Sequence, residues 1–349
     1  MNDPTTPMPQ QPPTPQQIQT YKNQATQYER AGDYGQSAHY GNLALQAESA
    51  LMCARADLQT DVMAFSLFGN DPLYCETALF NAQAMPSVYP GWQMYLYHDD
   101  SVPAHVLQRL AAHQVRLFRV KDCGLAHWPG TFWRFAAAAM PHVARVQFRD
   151  TDSVVSAREA QWVRAWIDSG KPFHVMRDWY SHTDLILAGL WGAHAPLLAH
   201  MRAWVDDYLR RTPRLHPTHA DQQFLAEVVW PRIMPYCLTH DTVHQLPSVT
   251  PIDSPRPGTH ASDALGGFKT KQMTVTVPPH VRHYLVKLTD EKGQTVMCYE
   301  REAKDGKDVF YMPTVYCERV EAGQWHIAYT GRPDPLAEAA SKTAKPAAN

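Results

Sequence analysis

Ala144-Arg145-Val146-Gln147-Phe148-Arg149-Asp150-Thr151-Asp152-Ser153-Val154-Val155 is the stretch on which the reading of this chain turns. Ala144–Phe148 has the character of a short strand, and just beyond it stand two carboxylates spaced one residue apart. Two such groups buried without partners would be costly in a core. In a loop at a strand end they suit a hard divalent cation, whose other positions go to water and phosphate oxygens. Such an ion neutralises charge on a departing diphosphate. An Asp-x-Asp alone is common, and the plainer reading is an Asx turn and cap leading into a helix over Arg158–Asp168. Position sets this pair apart, because three strand–helix units precede it.

Ahead of it, Val62–Phe68, Trp92–Tyr97 and Val115–Val120 read as strands. They alternate with helices over Leu73–Met85, Val102–His113, with Ser101 as N-cap, and Phe132–Met140. Beyond it, helices are predicted over Arg158–Asp168, Pro196–Arg211 and Ala220–Val229, with strands near Phe173–Met176 and Tyr236–Thr239. This alternation predicts an α/β domain over 60–248, a mostly parallel sheet flanked by helices. Ligands of open α/β sheets bind at the carboxyl ends of the strands, where Asp150 and Asp152 fall.

The flanks differ in composition. Residues 1–17 hold six prolines and four glutamines and read as a disordered tail. Residues 18–58 have helical periodicity broken at Ala31-Gly32-Asp33-Tyr34, and they resemble one tetratricopeptide repeat through Ala25, Tyr28, Gly32, Tyr34 and Ala44. Ser37 and Gly41 depart from that pattern, and a single repeat falls short of a stable array. The expectation is a helical hairpin that packs on the main domain or on a dimer mate, with peptide binding or oligomerisation as the alternative. Residues 249–265 read as a linker, and 266–331 as a small antiparallel β unit with turns at Asp290–Gly293 and Asp305-Gly306. An Ala/Lys/Pro-rich tail over 332–349 completes the chain.

Of 349 residues 44% are apolar, with 16 Tyr, 11 Phe and 10 Trp, enough for a substantial core. Lysine and arginine number 32 against 34 acidic residues, a formal charge of −2, which argues against a general nucleic-acid or anionic-membrane binder. No run is long and apolar enough for a transmembrane helix, and no signal peptide is read at the start. The six cysteines (53, 75, 123, 237, 298 and 317) form no Cys-x-x-Cys pair and read as reduced thiols. Cys298 and Cys317 on neighbouring strands are the one candidate pairing. A cytoplasmic location, peripheral to the inner face of the membrane if the acceptor is a lipid, is expected.

The stretch 131–155 resembles the nucleotide-sugar glycosyltransferases of GT-A fold, of the glycogenin and lipopolysaccharide-galactosyltransferase type. A closer likeness is to bacterial and viral glycosyltransferase-like proteins that share an ordered set of motifs. Here these are Arg149-Asp150-Thr151-Asp152-Ser153, Arg158-Glu159, Arg177-Asp178, His182 and Gly189-Leu190-Trp191-Gly192. The resemblance covers about Val62 to His244. It implies that Asp150 and Asp152 hold the metal, with His240 or its rival His244 as a third ligand; that set suits Mn²⁺ better than Mg²⁺. It implies that Arg134 contacts the donor, as a guanidinium fork suits an anion. Asp99, or its neighbour Asp100, would meet the nucleobase unless it merely caps a helix, and Phe65-Ser66-Leu67-Phe68-Gly69-Asn70 would form the base-binding floor. Gly189 would sit beside the donor sugar, where a missing side chain allows close approach. Asp221 and Gln222 resemble the polar pair that faces the reaction centre, Asp178 joins them as a catalytic candidate, and His182 shapes the donor site. Val154 and Trp179-Tyr180 depart from the closer group, so the sugar is not implied.

The reading is therefore a glycosyltransferase using a nucleotide-sugar, UDP-linked in preference to GDP-linked, with a glycan, lipid-linked or protein acceptor and retention of configuration. Two rivals use the same residues. Asp150-Thr151-Asp152-Ser153-Val154 also resembles the haloacid-dehalogenase phosphatase signature, whose first aspartate is a nucleophile, although that motif ends the first strand of its fold. The other rival is an adaptor working through the hairpin and the β unit.

Overall fold

In the computed structural model, Val143–Arg149 forms a strand at the centre of an eight-stranded sheet. The residues described are 14–53, 60–216, 218–244, 249–250, 264–278 and 281–332. Most of the two predicted tails and of the 249–265 linker lies outside them.

The chain divides into two compact units. One contains a helical hairpin, α1 (Pro15–Arg30) and α2 (Tyr34–Cys53), and includes Pro141–Ala144. Thr14 caps α1 through Oγ1, so the helix starts inside the segment expected to be a tail. Gly32, at φ 78°, makes the turn that few other residues adopt easily. Tyr28 and Tyr40 stack across the hairpin with centroids 5.4 Å apart, and Lys22 pairs with Glu48 at 2.9 Å.

The other unit carries the large sheet. Its strands are β1 (Thr60–Leu67), β2 (Gln93–His98), β3 (Arg116–Arg119), β4 (Val143–Arg149), β5 (Phe173–Arg177), β6 (Trp191–His194), β7 (Cys237–Asp241) and β8 (Val249–Thr250). They lie in the order β3-β2-β1-β4-β6-β5-β7-β8. β1, β2 and β3 pair in parallel, as do β5, β7 and β8, whereas β6 runs antiparallel to both β4 and β5. β6 departs from the expected alternation. Its sequence, Trp-Gly-Ala-His, is held by packing: Trp191 lies 4.5 Å from the Phe148 ring, and Gly192 leaves room for Gln147.

Helices α3 (Pro72–Val88), α4 (Ala104–Ala112), α5 (Ala157–Ser169) and α6 (Met201–Arg211) cover the sheet. Gly130–Ala139 is a 3₁₀ helix, and α7 (Ala220–Phe224) runs through a π turn into α8 (Trp230–Ile233). Ser101 is not the cap of α4. Pro103 sets that helix's entry, while Ser101 Oγ accepts from the Gly69 N–H at 2.6 Å.

The C-terminal segment forms antiparallel strands β9 (Thr270–Thr276), β10 (His283–Thr289), β11 (Thr295–Glu302), β12 (Lys307–Pro313) and β13 (His326–Arg332), with α9 (Thr314–Glu321) between the last two. Its buried Tyr284, Val286, Leu288 and Phe310 join one apolar cluster with Met63, Leu79 and Leu96 of the large-sheet region. Glu76 on α3 is fully buried at this junction, taking Arg109 at 2.8 and 3.0 Å, the Tyr299 hydroxyl at 2.5 Å and the Tyr316 hydroxyl at 2.9 Å. Cys317 lies on α9, not on a strand beside Cys298, and both are free thiols. Among the described residues, no helix is long and apolar enough to cross a membrane.

Candidate active site

At the carboxyl ends of β1 and β4 lies a cavity of about 480 Å³, lined by Ser66, Phe68, Tyr74, Arg134, Asp150 and Asp152 among others. Strand alternation decides which β1 residues reach it. Ser66 lines the cavity and its Oγ accepts the Arg134 backbone N–H at 3.0 Å. Phe65 points the other way, into the apolar core, so it is not part of the floor. Phe68 takes that place, its ring edge-on to Trp133 at 5.6 Å and lying over Gly130, where any Cβ would overlap it.

Arg134 enters from the 3₁₀ helix, almost fully buried. One amino nitrogen donates to Asp150 and to the Arg149 carbonyl (3.2 Å), the other to Asp221 Oδ2 at 2.8 Å. The 3₁₀ helix, the D-x-D loop and the first turn of α7 are thereby tied by one guanidinium. Burial raises the Asp221 carboxyl above its ordinary value; Arg134 opposes the rise and Asp150 adds to it.

Asp152 has no such cation to itself. Burial by the surrounding protein, and then the neighbouring Asp150, push it up to about 6. The loop that carries both aspartates is fixed from two sides. Asn81, fully buried on α3, donates to the Ser153 carbonyl at 2.7 Å and accepts the Val155 N–H at 3.0 Å. Gly266, at φ 74°, accepts the Val154 N–H at 3.2 Å, where a Cβ would press on Ser153 and Arg149. Gly189 packs so tightly on Asp150 that an added Cβ would overlap the carboxylate. Its carbonyl accepts from Arg149, whose charge is matched by buried Glu159 at 3.1 Å.

The other predicted residues lie elsewhere. Asp99 accepts from the Ser101 N–H (3.0 Å) and hydroxyl, supporting the Gly69 turn and not lining the cavity; Asp100 pairs on the surface with Arg119 and Lys121. Asp178 is buried and committed, binding Arg158 and accepting the Leu265 N–H at 2.8 Å, so it anchors a loop. His182, pushed down to about 4 by burial, has Nδ1 4.0 Å from Asp178 and is absent from the cavity wall. Gln222 donates to Asp184 at 3.0 Å from the turn that presents Asp221. His240 does not join the carboxylates. Its Nδ1 lies 2.9 Å from His174 Nε2 on the next strand, beside the Trp162 ring, and burial lowers it to about 4. Neither His240 nor His244 lines the cavity. His174 lies diagonally across from His240, two residues before its register partner Met176 on β5, a geometry that order along the chain does not reveal.

Tyr74, Thr131, Asp71 and Arg301, none of them in a motif of the sequence, also line the cavity. Tyr74 follows the Asp71-Pro72 start of α3, so a helix opening at the end of β1 was a usable signal. Arg301 comes from β11, far along the chain, and carried none.

No cluster of three His, Cys, Asp or Glu side chains among the described residues could by itself hold a metal ion. The donor chemistry still fits a hard cation: two like-charged carboxylates, one raised by desolvation and by the other, offer oxygens and gain from a positive partner. Asp150 and Asp152 would hold it, with the remaining positions filled by water and ligand oxygens.

No protein-family model matches the chain, and no curated protein does. Solved structures do match over about half of it. The apo-form glycosyltransferase GlyE of Streptococcus pneumoniae TIGR4 aligns at 14% identity and TM-score 0.36, over 52% of this chain and 45% of its own. Glucosyl-3-phosphoglycerate synthase of Mycobacterium tuberculosis, with Mn²⁺, UDP and glucosyl-3-phosphoglycerate, aligns at 12% and 0.37, over 52% and 70%. An active-site mutant of LgtC aligns at 12% and 0.36, over 52% and 72%. The chain thus spans less than half of the GlyE chain.

Proposed function

We propose that this chain is a metal-dependent glycosyltransferase that takes its sugar from a nucleotide-diphosphate donor. The observation that carries the reading is the Asp150/Asp152 pair at the end of β4, in a cavity that also holds Arg134. Asp150 stands beside Asp152 and makes its ionisation more costly, and a divalent cation with a diphosphate offsets that repulsion. The bound ion supplies neutralisation of the leaving diphosphate. Around it, this chain's own residues do the rest. Arg134 aligns Asp150 and Asp221; Gly189 leaves the room that the Asp150 carboxylate occupies; Asp221 and Gln222 orient the donor sugar and acceptor. Mn²⁺ with a UDP-sugar is preferred over Mg²⁺ or a GDP-sugar by the resemblance of 131–155 to the GT-A enzymes. That resemblance is also the ground for retention of configuration, for a glycan, lipid-linked or protein acceptor, and for action in the cytoplasm.

The phosphatase alternative loses support, since the Asp-x-Asp follows the fourth strand and no lysine among the described residues lines the cavity. The deciding experiment is calorimetric titration of the full chain with UDP, GDP and UDP-sugars, with and without Mn²⁺. Metal-dependent UDP binding lost in Asp152→Asn is the expected result. Binding that ignores both metal and Asp152 would remove the reading.

A further inference from the structure

The cavity has one wall that the glycosyltransferase reading does not account for. Arg301, on β11 of the C-terminal β segment, lines it together with Asp150 and Asp152. Three observations show that the side chain is placed there firmly. Its Nε and Nη2 donate to the two oxygens of Asp308 at 2.8 and 3.0 Å, and its guanidinium lies 5.1 Å from the centre of the Phe310 ring. Two residues earlier on the same face of β11, Tyr299 is locked to buried Glu76 on α3. Between them, the Glu300 carbonyl accepts from Asn70 Nδ2 at 3.1 Å, so the strand backbone is fastened to the loop that follows β1.

Of this rigidly mounted guanidinium, Nη1 is the nitrogen that Asp308 does not hold. Asp308 occupies the other two nitrogens, and Nη1 makes only a 3.4 Å contact with Asp71, a carboxylate that is itself 41% exposed and already caps α3. A long contact to a wetted carboxylate is weak and exchangeable, whereas a guanidinium N–H facing a ligand oxygen in a partly desolvated cavity is a strong donor.

We infer that Arg301 is a donor-binding residue, its Nη1 hydrogen-bonding an oxygen of the nucleotide when a nucleoside-diphosphate sugar occupies the cavity, so that the C-terminal β segment completes the donor site. The inference rests on the nucleotide-sugar reading of the cavity. The oxygen acceptor is a base carbonyl or a phosphate oxygen, and the two differ in which ligands feel the loss.

The test uses the full chain with Mn²⁺, titrated with UDP and with uridine. Arg301→Gln is expected to weaken UDP about tenfold, the scale of a lost charge-assisted contact. Parallel weakening of uridine assigns the contact to the base, and unchanged uridine assigns it to phosphate. Tyr299→Phe is the control, loosening the same β segment without touching the cavity, and it should lower the melting temperature while leaving UDP affinity alone. UDP binding by Arg301→Gln equal to wild type overturns the inference, as does equal weakening by both variants. If Arg301→Gln does not fold, the wild-type chain decides: UDP should slow phenylglyoxal modification of Arg301 several-fold, and no protection overturns the claim. Wild-type protein that binds no nucleotide at all removes the nucleotide-sugar reading itself; wild type that binds UDP with Arg301 indifferent removes this inference alone.

Discussion

Arg134 Nη2 donates to Asp221 Oδ2 at 2.8 Å, and both side chains are almost fully buried. A pair of that kind is not additional stability beyond a well-packed apolar core, but removing one member leaves the other charged and unsolvated. Arg134→Ala should therefore cost about 3–5 kcal/mol of unfolding free energy, and urea denaturation measures it. Asp221→Asn keeps the volume and one acceptor oxygen and should cost less. If the site is organised as proposed, Asp221→Asn keeps UDP affinity while its transfer rate falls roughly 10²-fold, as for a positioned polar group. Wild-type turnover by that variant would make the first turn of α7 ordinary scaffold.

The Asp152 carboxyl, raised to about 6 by burial and by Asp150, gives the proposed metal site a pH signature. Metal needs the carboxylate, so Mn²⁺-dependent UDP binding should be full above about pH 7 and decline as pH falls through 6. Asp150→Asn removes the repelling charge and should move that midpoint downward while weakening metal binding overall. Titration calorimetry at half-unit pH steps distinguishes this from a flat profile, which would place Asp152 outside the metal's reach.

His174 and His240 predict a separate acid sensitivity of the fold. Burial lowers both, His240 to about 4 and His174 well below its ordinary value, and the neighbouring His240 adds to the lowering at His174. Their folded-state affinities for protons lie below those of the unfolded chain. The unfolded state therefore takes up more protons as pH falls from about 6.5 toward 4, and stability drops across that window. Urea midpoints at pH 7 and pH 5 should differ more for wild type than for His240→Phe, whose ring fits beside Trp162 without titrating.

Gly189 sits so close to Asp150 that any side chain must displace the carboxylate or the backbone. Gly189→Ala should leave global stability within about 1–2 kcal/mol, the scale of modest overpacking, and reduce transfer by roughly 10²-fold, as a displacement of about 1 Å in a site does. A circular dichroism melt paired with a donor-turnover assay separates the two effects.

What could be read from the sequence followed from periodicity and position. Val62–Phe68, Trp92–Tyr97 and Ala144–Phe148 are strands in the structure to within about two residues, because apolar runs between turn residues leave few alternatives. The Asp-x-Asp stands where strand–helix order put it, and Arg134, sixteen residues before Asp150, meets it because the 3₁₀ helix lies over the end of β4. Legibility failed where the outcome depends on partners distant in the chain. Trp191–His194 has no strand pattern of its own and becomes one through Phe148 and Gln147 beside it, and α9 sits within a run of strands. The sequence offers His240 to a metal because its partner His174 lies 66 residues away along the chain. Arg301 reaches the cavity through a β segment whose docking is decided by Glu76, Tyr299 and Tyr316, residues that no local pattern links.

That junction supports the last prediction. Glu76 gathers Arg109 from α4 and two tyrosine hydroxyls from the C-terminal segment around one fully buried carboxylate. Glu76→Gln retains the shape but leaves Arg109 without its counter-charge and turns one acceptor oxygen into a donor amide facing existing donors. Breaking a buried pair from one side costs about 3–5 kcal/mol, although the Arg109 side chain is 29% exposed and water recovers part of that. The expected loss is therefore nearer the lower end, roughly 2–3 kcal/mol, visible as a lower urea midpoint. Arg109→Met in the same background should restore little, because the tyrosines still need an acceptor, whereas Tyr299→Phe combined with Glu76→Gln should cost less than the sum of the two changes. Strict additivity of those two variants would mean that Glu76 and Tyr299 act independently and that the β segment is held by its apolar contacts alone.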